Sequence, residues 1–303
     1  LGQVTSAVLV DMDEDGDTDL LVSRELGAIG LYHNRGDRFV DVSEAFGLPD
    51  FVGLWQGLAV GDFDNDGRVD FVAGNLGRNS PMELYPDGLV HLGRGGESRL
   101  SLYAIKRGSE HLPVDDMDLY ANIVDRARLP AMYRQFSDID LAKVLDSFDG
   151  LRHTRLNCFE TSVFLNRGGK FERRALPHPA QFSPTSGINV ADFDNDGRED
   201  LFLSQNLYSL RPDWGRLDSS AGMILLGQGD GRFEPVRAGS SGLAILGDSR
   251  NASVVDFNRD GRTDIVATQT FGQAQVYLGQ AGKPGIRVGF AANHSLARRL
   301  GAR

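Results

Sequence analysis

The chain has 303 residues, 32 of them lysine or arginine and 42 aspartate or glutamate, for a formal net charge of −10. That length supplies a core without disulfide staples, and the single cysteine, Cys158, supports no internal disulfide. No apolar run reaches the roughly eighteen residues of a membrane-spanning helix, and an acidic chain without a basic stripe speaks against nucleic acid as a partner.

The chain starts at Leu1, with no initiator methionine or leader to read. Residues 4–10 mix apolar and small polar side chains and lead into the acidic stretch DMDEDGDTD at residues 11–19. Leu20, Leu21 and Val22 then predict a strand and residues 29–33 another. A turn at Asn34, Arg35, Gly36 and Asp37 precedes Phe39 and Val40, and Phe46 and Leu48 pack at the end of the unit. The acidic stretch returns as DFDNDGRVD at 62–70, DFDNDGRED at 192–200 and DFNRDGRTD at 256–264. Residues 89–105 keep the strand rhythm without an acidic stretch, so a degenerate copy of the unit is expected within 80–160. Residues 115–148 change texture. Leu119, Ile123 and Ala127 make one face of a short helix, Pro130 interrupts it, and Leu141, Val144, Leu145 and Phe148 predict a second. This helical insertion either packs over the β body or offers a partner surface. Residues 162–171 then run as an apolar strand, a glycine-bearing hairpin and a phenylalanine. Residues 30–39 and 224–233 repeat that order, and 276–279 begin it again before a tail at 289–303.

Each acidic stretch puts side-chain oxygens at its first, third, fifth and ninth positions and glycine at its sixth, where the backbone turns through a conformation that other residues resist. Alternate residues then point oxygens at one ion, and the seventh carbonyl adds another. The predicted ligands are Asp11, Asp13, Asp15, the carbonyl of Asp17, and Asp19; then Asp62, Asp64, Asp66, the carbonyl of Arg68, and Asp70. The later copies give Asp192, Asp194, Asp196, the carbonyl of Arg198, and Asp200; then Asp256, Asn258, Asp260, the carbonyl of Arg262, and Asp264. Calcium suits such a set, because it takes about six to eight oxygens in a flexible shell, whereas magnesium demands a rigid octahedron. An EF-hand differs in its helical flanks and in the later position of its bidentate glutamate. Ordinary acidic turns are the alternative, and four copies with one internal glycine weigh against it. Four divalent cations would offset eight of the ten formal negative charges, so much of the acidity belongs to ion sites.

The first residues of successive acidic stretches lie 51, 130 and 64 positions apart. A unit of about 45–65 residues with four short strands cannot bury both sheet faces alone, and radial packing of such units does. The expected fold is all-β: a β-propeller over residues 1–288, seven-bladed if complete, with the helical insertion at 115–148. A β-sandwich is the alternative.

The four loops and the strand–hairpin–phenylalanine modules resemble the FG-GAP/VCBS repeats of integrin-α-like β-propellers, from about residue 4 to residue 277 and weakly across 80–160. The resemblance implies that the loops hold structural calcium ions between neighbouring strands, with Asn258 lowering the charge of the last site. Phe182, Ser183 and Pro184, Asn206, Leu207 and Tyr208, and the tail GIRV at 285–288 are similar to bacterial secreted proteins carrying ASPIC/UnbV-type segments. That similarity implies a periplasmic, surface or secreted setting.

The expected function is a calcium-stabilised scaffold for protein or carbohydrate recognition. A carbohydrate lyase or hydrolase is one alternative, and a structural subunit of a surface or membrane-associated complex is another. For an enzyme, His111, His153 and His178 are the visible candidates, yet none stands in a spacing that defines a nucleophile or zinc site. Cys158 lacks an activating neighbour. Trp55 and Trp214 either pack in the core or line a binding surface, and Tyr208, Arg211 and Trp214 form a polar-aromatic group suited to a ligand. His294, Arg298, Arg299 and Arg303 make the tail basic, as a solvated segment or an anion contact.

Overall fold

A computed structural model describes residues 3–80, 89–94, 100–114, 117, 120, 129–130, 133–145, 152–208, 216–270 and 272–280. The fold is all-β and built from antiparallel sheets, with short helical turns at Tyr133–Phe136 and Ala238–Ser241. The first sheet holds β1 (Gln3–Val10), β2 (Asp19–Ala28), β3 (Gly30–Asn34) and β4 (Phe39–Asp41) in order, with β5 (Val52–Leu54) paired to the far part of β2. The second begins with β6 (Leu58–Gly61) and β7 (Asp70–Ala73).

The chain then leaves the second sheet. Strands β8 (Leu89–Arg94), β9 (Leu100–Arg107), β10 (Glu110–Pro113) and β11 (Arg152–Arg155) form a sheet of their own, in the order β10-β9-β8-β11. Only afterwards do β12 (Ser162–Asn166) and β13 (Phe171–Ala175) complete the second sheet, with β12 pairing directly with β7. The strand rhythm of 89–105 thus belongs to a sheet inserted between the second and third strands of another. Loop-closure entropy rises only slowly with loop length, so such an excursion is tolerated. On one face of this inserted sheet, Val90, Leu92, Leu102 and Ala104 pack with Tyr120, Phe136, Leu141 and Val144.

Of the predicted helices, Leu119, Ile123, Ala127 and Phe148 fall outside the described residues. The described part of the second is a 3-10 turn, Leu141–Lys143, whose start Asp140 caps by accepting from Ala142 N at 3.3 Å. The turn at Tyr133–Phe136 lies within the expected 115–148 insertion, between its two predicted helices.

The third repeat sheet runs β14 (Thr185–Ala191), β15 (Asp200–Gln205), β16 (Met223–Gly227) and β17 (Phe233–Pro235). The fourth runs β18 (Ser249–Val255), β19 (Asp264–Gln269) and β20 (Gln275–Tyr277). The repeat sheets stack face to face in series, with β1 against β6, β6 against β14 and β14 against β18. Strand alternation explains how one sheet serves two neighbours. In the second sheet Phe71, Ala73 and Phe164 point into the core shared with the first sheet, while Val72, Val163 and Leu165 point into the core shared with the third. Phe71 and Phe164 stack at 4.5 Å between ring centres, and each buried aromatic of this kind stabilises by about 1.5–3 kcal/mol. The series is propeller-like rather than a two-sheet sandwich. Closure into a seven-bladed ring is not seen among the described residues.

Candidate metal centres

Each acidic loop closes the hairpin between the first two strands of its sheet: β1 to β2, β6 to β7, β14 to β15 and β18 to β19. The registers agree, pairing Val10 with Asp19, Gly61 with Asp70, Ala191 with Asp200 and Val255 with Asp264. All four loops therefore lie at the same end of their sheets.

The hydrogen bonds repeat as well. The ninth-position carboxylate is buried in each sheet and accepts two equivalent backbone N–H groups, to which Asp264 adds a third from Asn258 N at 3.3 Å. One comes from the second loop residue: Met12 at 3.1 Å, Phe63 at 3.0 Å, and Phe193 and Phe257 at 2.8 Å. The other comes from the end of the third strand or just past it: Asn34 at 2.9 Å, Asn166 at 2.7 Å, and Gly227 and Gly279 at 2.8 Å. Asp19, Asp70, Asp200 and Asp264 thus clasp three strands together, a role invisible in the spacing alone. The first-position carboxylates of Asp11, Asp62, Asp192 and Asp256 accept from the glycine N–H five residues on, at 2.9–3.1 Å. The fifth-position carboxylates of Asp15, Asp66, Asp196 and Asp260 accept from the seventh-position N–H at 2.9 Å. These turns fold the oxygens inward and leave lone pairs free for an ion.

Carboxylate oxygens of Asp11, Asp13 and Asp15 lie within 4.8 Å of one another, as do those of Asp62, Asp64 and Asp66 and of Asp192, Asp194 and Asp200. Asp13 and Asp19 also converge with His33, a residue that sequence reasoning placed in a strand and gave no site role. Lining up the strand–hairpin modules would have exposed it, because His33 stands where the others have leucine.

Such crowding leaves the donor sets short of positive charge. Burial pushes the Asp70 carboxyl up to about 7, with Asp64 and Asp66 adding to the shift, and raises Asp200 to about 6, with Asp194 and Asp192 adding. Burial likewise raises Asp194, beside Asp196. Two buried oxygens, Asp11 Oδ1 and Asp64 Oδ1, have no hydrogen-bond donor. A divalent cation fits these sets, satisfying orphaned carboxylate oxygens that would otherwise be costly to bury. In the second loop Arg167 Nη1 already reaches Asp64 Oδ2 at 2.5 Å and Asp66 Oδ2 at 3.4 Å, a monovalent partner for the same carboxylates. In the fourth loop Asn258 turns its amide N–H to Asp260 Oδ2 at 3.0 Å while its Oδ1 accepts from Asp260 N.

The loops also bind neighbouring sheets together. Asn166 Nδ2 donates to Met12 O at 3.4 Å, and Gly231 N donates to Phe63 O at 3.0 Å. Glu199 Oε2, from the third loop, accepts from Asp62 N of the second at 2.7 Å, and Thr263 Oγ1 of the fourth donates to Asp192 O of the third at 3.4 Å.

The remaining candidates lie elsewhere. Trp55 is fully buried, donates to Phe51 O at 3.1 Å and packs on Phe164, so it belongs to the core rather than to a binding surface. Cys158 is buried and its thiol is pushed up to about 11 by that burial, which keeps it protonated and unreactive at neutral pH. His111 and His153 meet edge to face at 5.0 Å on the inserted sheet, and burial lowers His111. His178 packs edge-on against Phe182. Tyr208 is partly exposed beneath the Arg216 guanidinium, while Arg211, Trp214, His294, Arg298, Arg299, Arg303 and the 285–288 tail lie outside the described residues. Among the described residues, no helix is long and apolar enough to cross a membrane.

Comparison with known proteins follows the same loops. The chain is similar to cartilage acidic protein 1 of Homo sapiens, 29% identical over 207 residues, which cover 64% of this chain and 27% of that protein. The Xenopus tropicalis and Mus musculus proteins of the same name are 28% and 27% identical over 208 and 199 residues, covering 64% of this chain and 28% of each. The chain thus spans under a third of the length of the curated relatives it matches. The FG-GAP-like repeat family matches residues 11–73, from the start of the first acidic loop to the end of β7, so over that stretch the chain carries an FG-GAP-like repeat.

Proposed function

We propose that the four acidic loops hold structural calcium ions and that the sheets they clamp are successive blades of an integrin-α-like β-propeller, seven-bladed when closed. The observation that carries this reading is the fourfold recurrence of one hydrogen-bonded loop at the same hairpin of each repeat sheet, with carboxylates drawn together in the first three. The second-position side chains add support. Met12, Phe63 and Phe193 each pack in the core shared with the following sheet, whereas Phe257, on the last sheet, is 61% exposed. With Val255 exposed nearby in sequence, that surface suits a further blade. The scaffold would work outside the cytoplasm, where calcium is plentiful, and recognise a protein or carbohydrate through its non-repeated loops and inserted sheet. Similarity to proteins named for cartilage and acidity supports that setting. Calcium added to chelator-stripped protein should bind saturably and raise the melting temperature, because an ion bound only by the folded state stabilises it. An unchanged transition after verified calcium removal would refute the reading.

A further inference from the structure

The first acidic loop differs from the others in charge and in what faces it. Residues 11–19 hold six acidic residues and no basic one, against four and one in 62–70, five and one in 192–200, and three and two in 256–264. Arg68, Arg198 and Arg262 each lay a guanidinium on the fifth-position carboxylate of their loop, and Asp17 stands in their place in the first. The third strand differs too. The residue whose N–H meets the ninth-position carboxylate follows Leu165, Leu226 or Leu278 in the later sheets, and follows His33 in the first.

His33 is aimed into the loop. It is 6% exposed, its Nδ1 lies 3.1 Å from Asp13 Oδ2, and its Nε2 lies 4.0 Å from Asp19 Oδ2. That Nε2 is buried without a hydrogen bond, as is Asp11 Oδ1 in the same loop. Arg35 is the nearby cation, with Nη2 3.3 Å from His33 Nδ1 and Nη1 3.9 Å from Asp15, and its side chain is half-exposed. A ring nitrogen buried without a partner is costly unless a proton or a metal stands between it and the carboxylates.

We propose that His33, Asp13 and Asp19 make the first loop a mixed imidazole–carboxylate site that takes a first-row transition-metal dication in place of the calcium assigned to it above, leaving calcium to the three all-oxygen loops. Calcium takes oxygen ligands, whereas imidazole suits zinc, nickel, copper and iron. Zinc bonds nitrogen and oxygen at about 2.0–2.2 Å, so two such bonds reach across the gap between Nε2 and Asp19. The metal would fasten β3 to the β1–β2 hairpin, with the surplus of acidic side chains drawing it in.

This inference rests on reading the loops as cation sites. The test loads the chelator-stripped chain with Co2+ in the presence of excess calcium, followed by visible and X-ray absorption. The expected result is about one cobalt per chain with an imidazole in its shell. Cobalt affinity should fall at least about tenfold in His33→Leu, which installs the side chain of the equivalent positions. The calcium-dependent rise in melting temperature should persist in that variant. Cobalt without an imidazole ligand, or equal affinity in His33→Leu, overturns the proposal. Should His33→Leu unfold, the wild-type cobalt spectrum decides alone. Imidazole-ligated cobalt in a protein that calcium does not stabilise would support this site and refute the calcium reading. Calcium stabilisation without such cobalt would do the reverse.

Discussion

Glu14, Asn65, Asn195 and Arg259 occupy the fourth position of their loops with φ between 56 and 64°. In this left-handed region a Cβ crowds the following carbonyl, and asparagine tolerates it best among residues with side chains. Glu14→Asn installs the side chain that offsets this crowding by local hydrogen bonding and removes one of the six acidic residues of the first loop. The ion-free protein should therefore gain about 0.5–1 kcal/mol, read from the urea midpoint in chelator. A midpoint that stays or falls would show that Glu14 has compensating contacts. The glycine at the sixth position was legible in sequence because glycine is the usual residue there. The fourth was not, since glutamate and arginine give no hint of a left-handed backbone.

Among the elements, the hairpin loops act in series rather than alone. Glu199 shows this most directly, because its carboxylate in the third loop accepts the Asp62 N–H of the second, and burial raises it from its ordinary value. Glu199→Ala leaves that N–H unpaired and should cost about 1–3 kcal/mol by chemical denaturation, whereas Glu199→Gln retains an acceptor and should cost less. Equal losses in both variants would mean that packing, not the hydrogen bond, is what the side chain supplies. The same principle of supported backbone explains the inserted sheet. Its strand β11 runs straight into contacts at the end of the first sheet, where Asn157 Oδ1 accepts from Val52 N at 2.9 Å and Gly53 bridges to Cys158. The excursion therefore returns to a fixed point rather than hanging on a loose linker.

At the level of the whole molecule, buried carboxylates couple the fold to pH and to ions. In the ion-free protein Asp70 titrates near 7 and Asp200 near 6, both above the ordinary carboxyl value because of burial. A folded-state value above the unfolded one means that the protonated group favours folding. Their contribution is complete below about pH 4 and is lost as pH rises through 6 to 7. Chelated protein should thus lose melting temperature from pH 5 to pH 8, while a bound cation keeps the carboxylates compensated. The gap between calcium-loaded and chelated melting temperatures should widen over that range. A gap that stays constant would show that these two groups are not compensated by the ion.

The acidic loops, their hairpins and the all-β class were readable from sequence because each is specified locally. A carboxylate at alternate positions with an internal glycine defines a tight acidic turn, and apolar runs bounded by turn residues define strands. The repetition of both modules along the chain carried the expectation of stacked sheets. Tertiary structure alone decided that the second sheet is split, because the pairing of β7 with β12 joins residues 89 to 93 positions apart through backbone hydrogen bonds that leave no compositional trace. It likewise decided that Trp55 is core, that the ninth-position aspartates clasp strands as well as offering oxygens, and that His33 turns toward Asp13 and Asp19. In each case the outcome depends on which strands lie side by side, and that is set by packing across the sheets rather than by any residue's neighbours in sequence.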